Sequence, residues 1–137
     1  MTRIAQEVTG TFLEVPTPLL PAGLNIRDAG NIATAPATPE HNRASIRKAV
    51  RAILKASAVP VLLGGDDSVP IPFFEAFETH GPITIVQIDA HLDWRDERNG
   101  LRHTFSSPMR RASEMPWVER IIQGRHARCW RVAKKRS

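Results

Sequence analysis

A chain of 137 residues can bury one sizeable core and not two, and 42% hydrophobic residues suit a globular domain that works in water. No apolar run approaches the length of a bilayer span, so no membrane partner is expected. The single cysteine, Cys129, excludes an internal disulfide framework. The net charge of +5 is concentrated at one end: residues 125–137 carry six basic side chains and no acid, which leaves −1 for residues 1–124.

A basic tail can attract phosphates. The preferred reading here is a solvated, disordered end over residues 124–137, with no nucleic-acid partner. The opening Met1-Thr2-Arg3-Ile4-Ala5-Gln6-Glu7 lacks the apolar stretch of a secretory leader, and with one cysteine this points to the cytoplasm.

Residues 1–37 are rich in proline and threonine and poor in helical periodicity, so they read as irregular, with a short strand near residues 11–15. Thr38-Pro39-Glu40 is a helix start, since a hydroxyl can cap and proline suits the first turn. Ile46, Ala49, Val50, Ile53 and Leu54 then recur at helical spacing, with Arg43, Arg47, Lys48, Arg51 and Lys55 outside that stripe. The expectation is an amphipathic helix laid on a sheet.

Residues 59–63 form a short apolar run ending at Gly64-Gly65, the pattern of a buried parallel strand. Residues 70–79 read as a helix whose Phe73, Phe74 and Phe77 supply core, and residues 83–88 read as a second buried strand. A short helix is expected from Pro108, stopped at Pro116, followed by an apolar segment holding Val118, Ile121 and Ile122. Helices alternating with strands imply right-handed crossovers and a parallel sheet. Residues 38–123 make up this domain.

Ligands of such sheets collect at the carboxyl ends of the strands. Two acidic segments fall there: Gly64-Gly65-Asp66-Asp67-Ser68 and Asp89-Ala90-His91-Leu92-Asp93. Asp89, His91 and Asp93 are spaced two apart, so an extended backbone would point all three to one side. Two carboxylates and an imidazole suit a divalent cation, with oxygen favouring magnesium or manganese and nitrogen admitting nickel or zinc. The alternative is a strand end whose acids cap the next helix or pair with Arg95 and Arg98.

Together with Ser107-Pro108-Met109-Arg110-Arg111-Ala112, these two segments resemble the ureohydrolase family of arginases and agmatinases in order and separation. The likeness covers residues 24–123, and Trp94-Arg95-Asp96-Glu97-Arg98 looks closer to the agmatinase branch. It implies part of an arginase-like three-layer α/β/α sandwich with a parallel sheet. It also implies a binuclear Mn2+ centre (nickel or another divalent metal being the alternative) and hydrolysis of a small cationic guanidino substrate to urea and an amine. The family is typically homo-oligomeric.

By the same resemblance Asp89, His91 and Asp93 match metal ligands, and Asp93 would also relay a proton to the leaving amine. Asp67 falls where the family has a histidine ligand, and Asp66 and Ser68 would hold the loop. Three departures accompany the likeness. Phe105 stands where a histidine is common, with His103 out of phase by two; a proton-shuttle role for His103 competes with that of a solvated loop histidine, which is preferred. No Asp-x-Asp pair follows Asp93 in the 137 residues, although the family completes its centre with one. The expectation is therefore an inactive or weakly active fragment, with a docking or metal-binding role as the alternative. The abrupt basic turn after Gln123 is read as the product of a frameshift or premature stop.

Overall fold

The structure is a computed structural model, and it describes residues 23–126 and 129–134. The short strand expected near residues 11–15 lies outside the described residues. Residues 23–33 belong to a unit of their own, in which the Asp28 carboxylate accepts the Gly30 N–H at 2.8 Å. Residues 34 onward form a second compact unit, which holds every helix and strand named below.

Helix α1 spans Pro39–Lys55 and starts as its sequence predicts, with proline in the first turn. The Thr38 hydroxyl makes no capping bond. Asn42 instead reaches back, donating to the Ala35 carbonyl at 2.8 Å and accepting the Ala35 N–H at 3.0 Å. Ile46 and Val50, one turn apart, are the buried residues of its apolar stripe. Helix α2, Pro70–Glu75, packs beside α1, and Arg47–Glu75 and Arg51–Glu78 ion pairs close that seam.

Strand β1 covers Ile83–Ile88, helix α3 Pro108–Ala112 and strand β2 Val118–His126. β1 and β2 pair in parallel, with Ile85 beside Ile121 and Gln87 beside Gln123. Side chains alternate across a pleated strand, so Ile83, Ile85 and Gln87 point one way and Thr84, Val86 and Ile88 the other. The first set meets the core: Ile85 and Ile121 pack with Ile71, Met109, Ala112, Met115 and Val118, while Phe74, Ile83 and Trp117 flank them. The Trp117 indole N–H donates to the Phe74 carbonyl at 3.0 Å, tying the end of α2 to the start of β2. Val86 and Ile88 remain exposed. The architecture is a partial α/β fold, with α2 and α3 packed on one face of the β1–β2 pair and α1 beside α2.

Two segments differ from expectation. Residues 59–63 form no strand, and Val59, Val61 and Leu63 are 86%, 80% and 90% exposed. An apolar run supplies the composition of a strand, but a strand also needs a neighbour, and none of the described strands pairs with this run. The second difference is at the basic end. Residues 124–126 extend β2, and Cys129–Lys134 form strand β3, antiparallel to it. Within the tail expected to be disordered, residues 124–126 and 129–134 are thus strand, and the sheet is mixed. The register sets residue 132 opposite Ile122 and residue 133 opposite Ile121.

Candidate metal centre

Asp67 lies in the loop after Gly64-Gly65, and that loop is held from within: the Asp66 carboxylate accepts the Ser68 N–H at 2.9 Å. Asp89 is the first residue beyond β1, where the Asp89 N–H donates to the Gly124 carbonyl at 3.3 Å as the last rung toward β2. Beyond it the chain leaves the extended form. Asp93 adopts a left-handed backbone conformation (φ 48°), and its carbonyl accepts the N–H groups of Met109 and Arg110 at 3.1 and 3.2 Å. An aspartate tolerates that region better than a branched residue does.

The loop brings one carboxylate oxygen each from Asp67, Asp89 and Asp93 within 4.8 Å of one another. The expected reason for convergence, alternation along an extended segment, is not the one the structure uses. His91 shows the difference. Its ring Nδ1 lies 3.1 Å from Asp89 Oδ1 and its N–H donates to the same oxygen at 2.8 Å, while its side chain is 81% exposed. It braces Asp89 from outside the three-acid cluster.

Electrostatics follow from this crowding. Partial burial, then the charge and hydrogen bond of Asp93, push the Asp67 carboxyl up to about 6. Asp89 is held below its ordinary value, first by the His91 backbone N–H and then by the His91 ring. Three carboxylates this close repel one another unless a proton or a cation sits among them. Oxygen-only donors of this charge suit a hard divalent ion. The donor set therefore fits a metal, and its residues are Asp67, Asp89 and Asp93. A groove of about 480 Å³ runs along β1 to Asp67 and Asp89, with Phe73, Phe77 and Met109 among its walls.

Residues 94–106 form an arm beside the acids. Asn99 and Gly100 both take positive φ (53° and 77°) in a two-residue turn, closed by reciprocal backbone bonds between Arg98 and Leu101 at 2.9 and 3.0 Å. Asp96 anchors the arm to α3 through the buried Arg111, whose side chain is 5% exposed, and through Arg110, and it pairs within the arm with Arg102. Phe105 lies under the Arg98 guanidinium, 4.7 Å from its ring centre. His103 is exposed and outside the acid cluster. Partial desolvation and the nearby Arg43 hold its pKa below the ordinary histidine value.

The alternative pairing of the acids with Arg95 or Arg98 is not what the structure shows, since Asp89 binds His91 and Asp93 accepts from Gln87. Gln87 and Gln123 are site residues that sequence reasoning overlooked. Their only signal was a polar residue ending an otherwise apolar inward row on each strand.

Residues 4–127 match the model of the arginase family. The chain belongs to that family. It is 35% identical over 81 residues to the mitochondrial agmatinase of Gallus gallus, covering 57% of this chain and 24% of that protein. It is 33% identical over 103 residues to the N(1)-aminopropylagmatine ureohydrolase of Thermococcus kodakarensis, covering 74% and 35% respectively. Among solved structures, the formimidoylglutamase of Bacillus subtilis superposes with a TM-score of 0.60 at 29% identity, over 70% of this chain and 31% of that one. The chain thus spans about a quarter to a third of the length of these relatives.

Proposed function

We propose that this chain carries the first part of the metal centre of an agmatinase-like ureohydrolase, which splits a guanidino compound into urea and an amine. The observation that supports this most is the convergence of Asp67, Asp89 and Asp93, three acids from two of the three segments that carry the family resemblance. A bound divalent cation, manganese in this reading, lowers the pKa of its water and so supplies hydroxide at neutral pH.

The chain's own residues have separable tasks. Asp67, Asp89 and Asp93 would hold the cation by charge, and His91 positions Asp89 from outside through its backbone N–H and ring. Asp93 takes the second role of passing a proton to the departing amine. An aspartate at position 67, in place of an imidazole, adds negative charge and favours manganese or magnesium over nickel and zinc. A net charge of −1 for residues 1–124 suits a small cationic substrate. Three carboxylates balance one cation better than a bridged pair, so low turnover by this chain alone is part of the reading.

The test is calorimetric titration with Mn2+, followed by urea release from agmatine, guanidinobutyrate and arginine. Saturable binding that Asp89→Ala abolishes and Asp96→Ala leaves intact is the expected result. Equal effects of the two substitutions would refute the assignment.

A further inference from the structure

Gln123 is 7% exposed on the core-facing side of β2, directly beside Gln87 on β1. Its Nε2 donates twice, to Gln87 Oε1 at 2.6 Å and to the Leu92 backbone carbonyl at 2.8 Å. Gln87 Nε2 in turn donates to Asp93 Oδ2 at 2.6 Å. A backbone carbonyl can only accept, so the amino end of Gln123 must face Leu92. Its second N–H then obliges Gln87 to present oxygen toward β2 and its own amino group toward Asp93. The opposite orientation of either amide would set two acceptors or two donors against each other.

We infer that Gln87 and Gln123 are positioning residues for the metal centre: Gln123 fixes the orientation of Gln87, and Gln87 holds the Asp93 carboxylate toward Asp67 and Asp89. Asp93 is thereby restrained from both ends, through its carboxylate by Gln87 and through its carbonyl by Met109 and Arg110. Partners of this kind fix ligand geometry around bound metals. The strands make the relay possible because Gln87 and Gln123 are in register at the carboxyl end of the parallel pair. Up to that point the inward row is apolar, with Ile83, Ile85 and Ile121. The proposal rests on the reading of Asp93 as a metal ligand.

Two measurements on the full chain separate the relay from that reading. In metal-free, 15N-labelled protein, the Gln87 side-chain NH2 is expected to resist solvent exchange and to lose that protection in Gln123→Leu. In Mn2+ titrations, Gln87→Leu and Gln123→Leu are each expected to weaken binding by about 10-fold to 100-fold. The double variant should be no weaker than Gln87→Leu, because the two amides act in series. A purely structural pair would instead give multiplying losses. Freely exchanging Gln87 NH2 protons in the wild type, Gln123→Leu with wild-type affinity, or multiplicative losses would each overturn the relay. If the wild type binds no Mn2+ while the exchange pattern is as expected, the relay stands and the metal reading fails.

Discussion

Replacing Asp67 by asparagine should make the metal-free protein more stable at pH 8, while weakening its hold on a cation. The asparagine side chain is nearly isosteric and would keep an N–H donor for Asp93. Asp67 in the folded protein has its pKa raised from 3.8 to about 6, so the folded state binds that proton more tightly than the unfolded chain does. The stability this contributes is complete below about pH 4 and is lost as pH rises through about 6. A shift of that size is worth about 3 kcal/mol at full strength. Solvent screening at a partly exposed site reduces the usable part to about 1 kcal/mol. The Asp67→Asn protein should therefore match the wild type near pH 4 and exceed it by about 1 kcal/mol at pH 8, a rise of roughly 3–5 °C in Tm for a domain of this size. Urea and thermal unfolding at both pH values measure it. With Mn2+ at about 100 times its Kd, the wild type gains about 2.7 kcal/mol and the variant less, so the order reverses. A difference independent of pH, or a variant less stable at pH 8 without metal, would refute the crowded-carboxylate picture.

Two further expectations probe the packing. Ile121→Ala, at a site 3% exposed, should cost about 2–5 kcal/mol in urea unfolding, whereas Val61→Ser at 80% exposure should stay within about 0.5 kcal/mol; equal costs would mean that residues 59–63 are buried after all. Gly81→Ala would place its Cβ 2.7 Å from Trp117 Cβ, so it should destabilise by about 1–3 kcal/mol, and wild-type stability would show that Trp117 can shift aside.

Local signals carried much of the fold. Pro39 opening α1, the apolar stripe through Ile46 and Val50, and the continuous run at residues 83–88 are properties of neighbouring residues, and each reappears as an element. Residues 59–63, like residues 83–88, are a short apolar run. What separates them is whether another strand lies alongside, and that is decided by residues distant in sequence. The basic end hides its structure for a related reason. Its charges are interleaved with Trp130, Val132 and Ala133, and an antiparallel partner in β2 turns that alternation into a strand.

The site was legible in its members and not in its geometry. Asp67 and Asp89 sit where apolar runs give way to acids, and that transition marks them. The pleat of β1, by contrast, does not continue through Asp93. A straight strand would have carried Asp93 about 13 Å beyond Asp89, too far for one cation to touch both. The bend at Ala90 and His91 folds it back, and the pattern of alternate acids has no way to announce that bend. The Asn99-Gly100 pair does announce its own. Gln87 and Gln123 mark the same boundary from the other side, because a buried amide is tolerated on an apolar row only where its hydrogen bonds are met. Here they are met by each other, by Leu92 and by Asp93. The parallel register of β1 and β2 thus reaches the acids through side chains as well as through the backbone, and a shift of one residue between the strands would separate Gln87 from Gln123 and leave Asp93 without its lateral restraint.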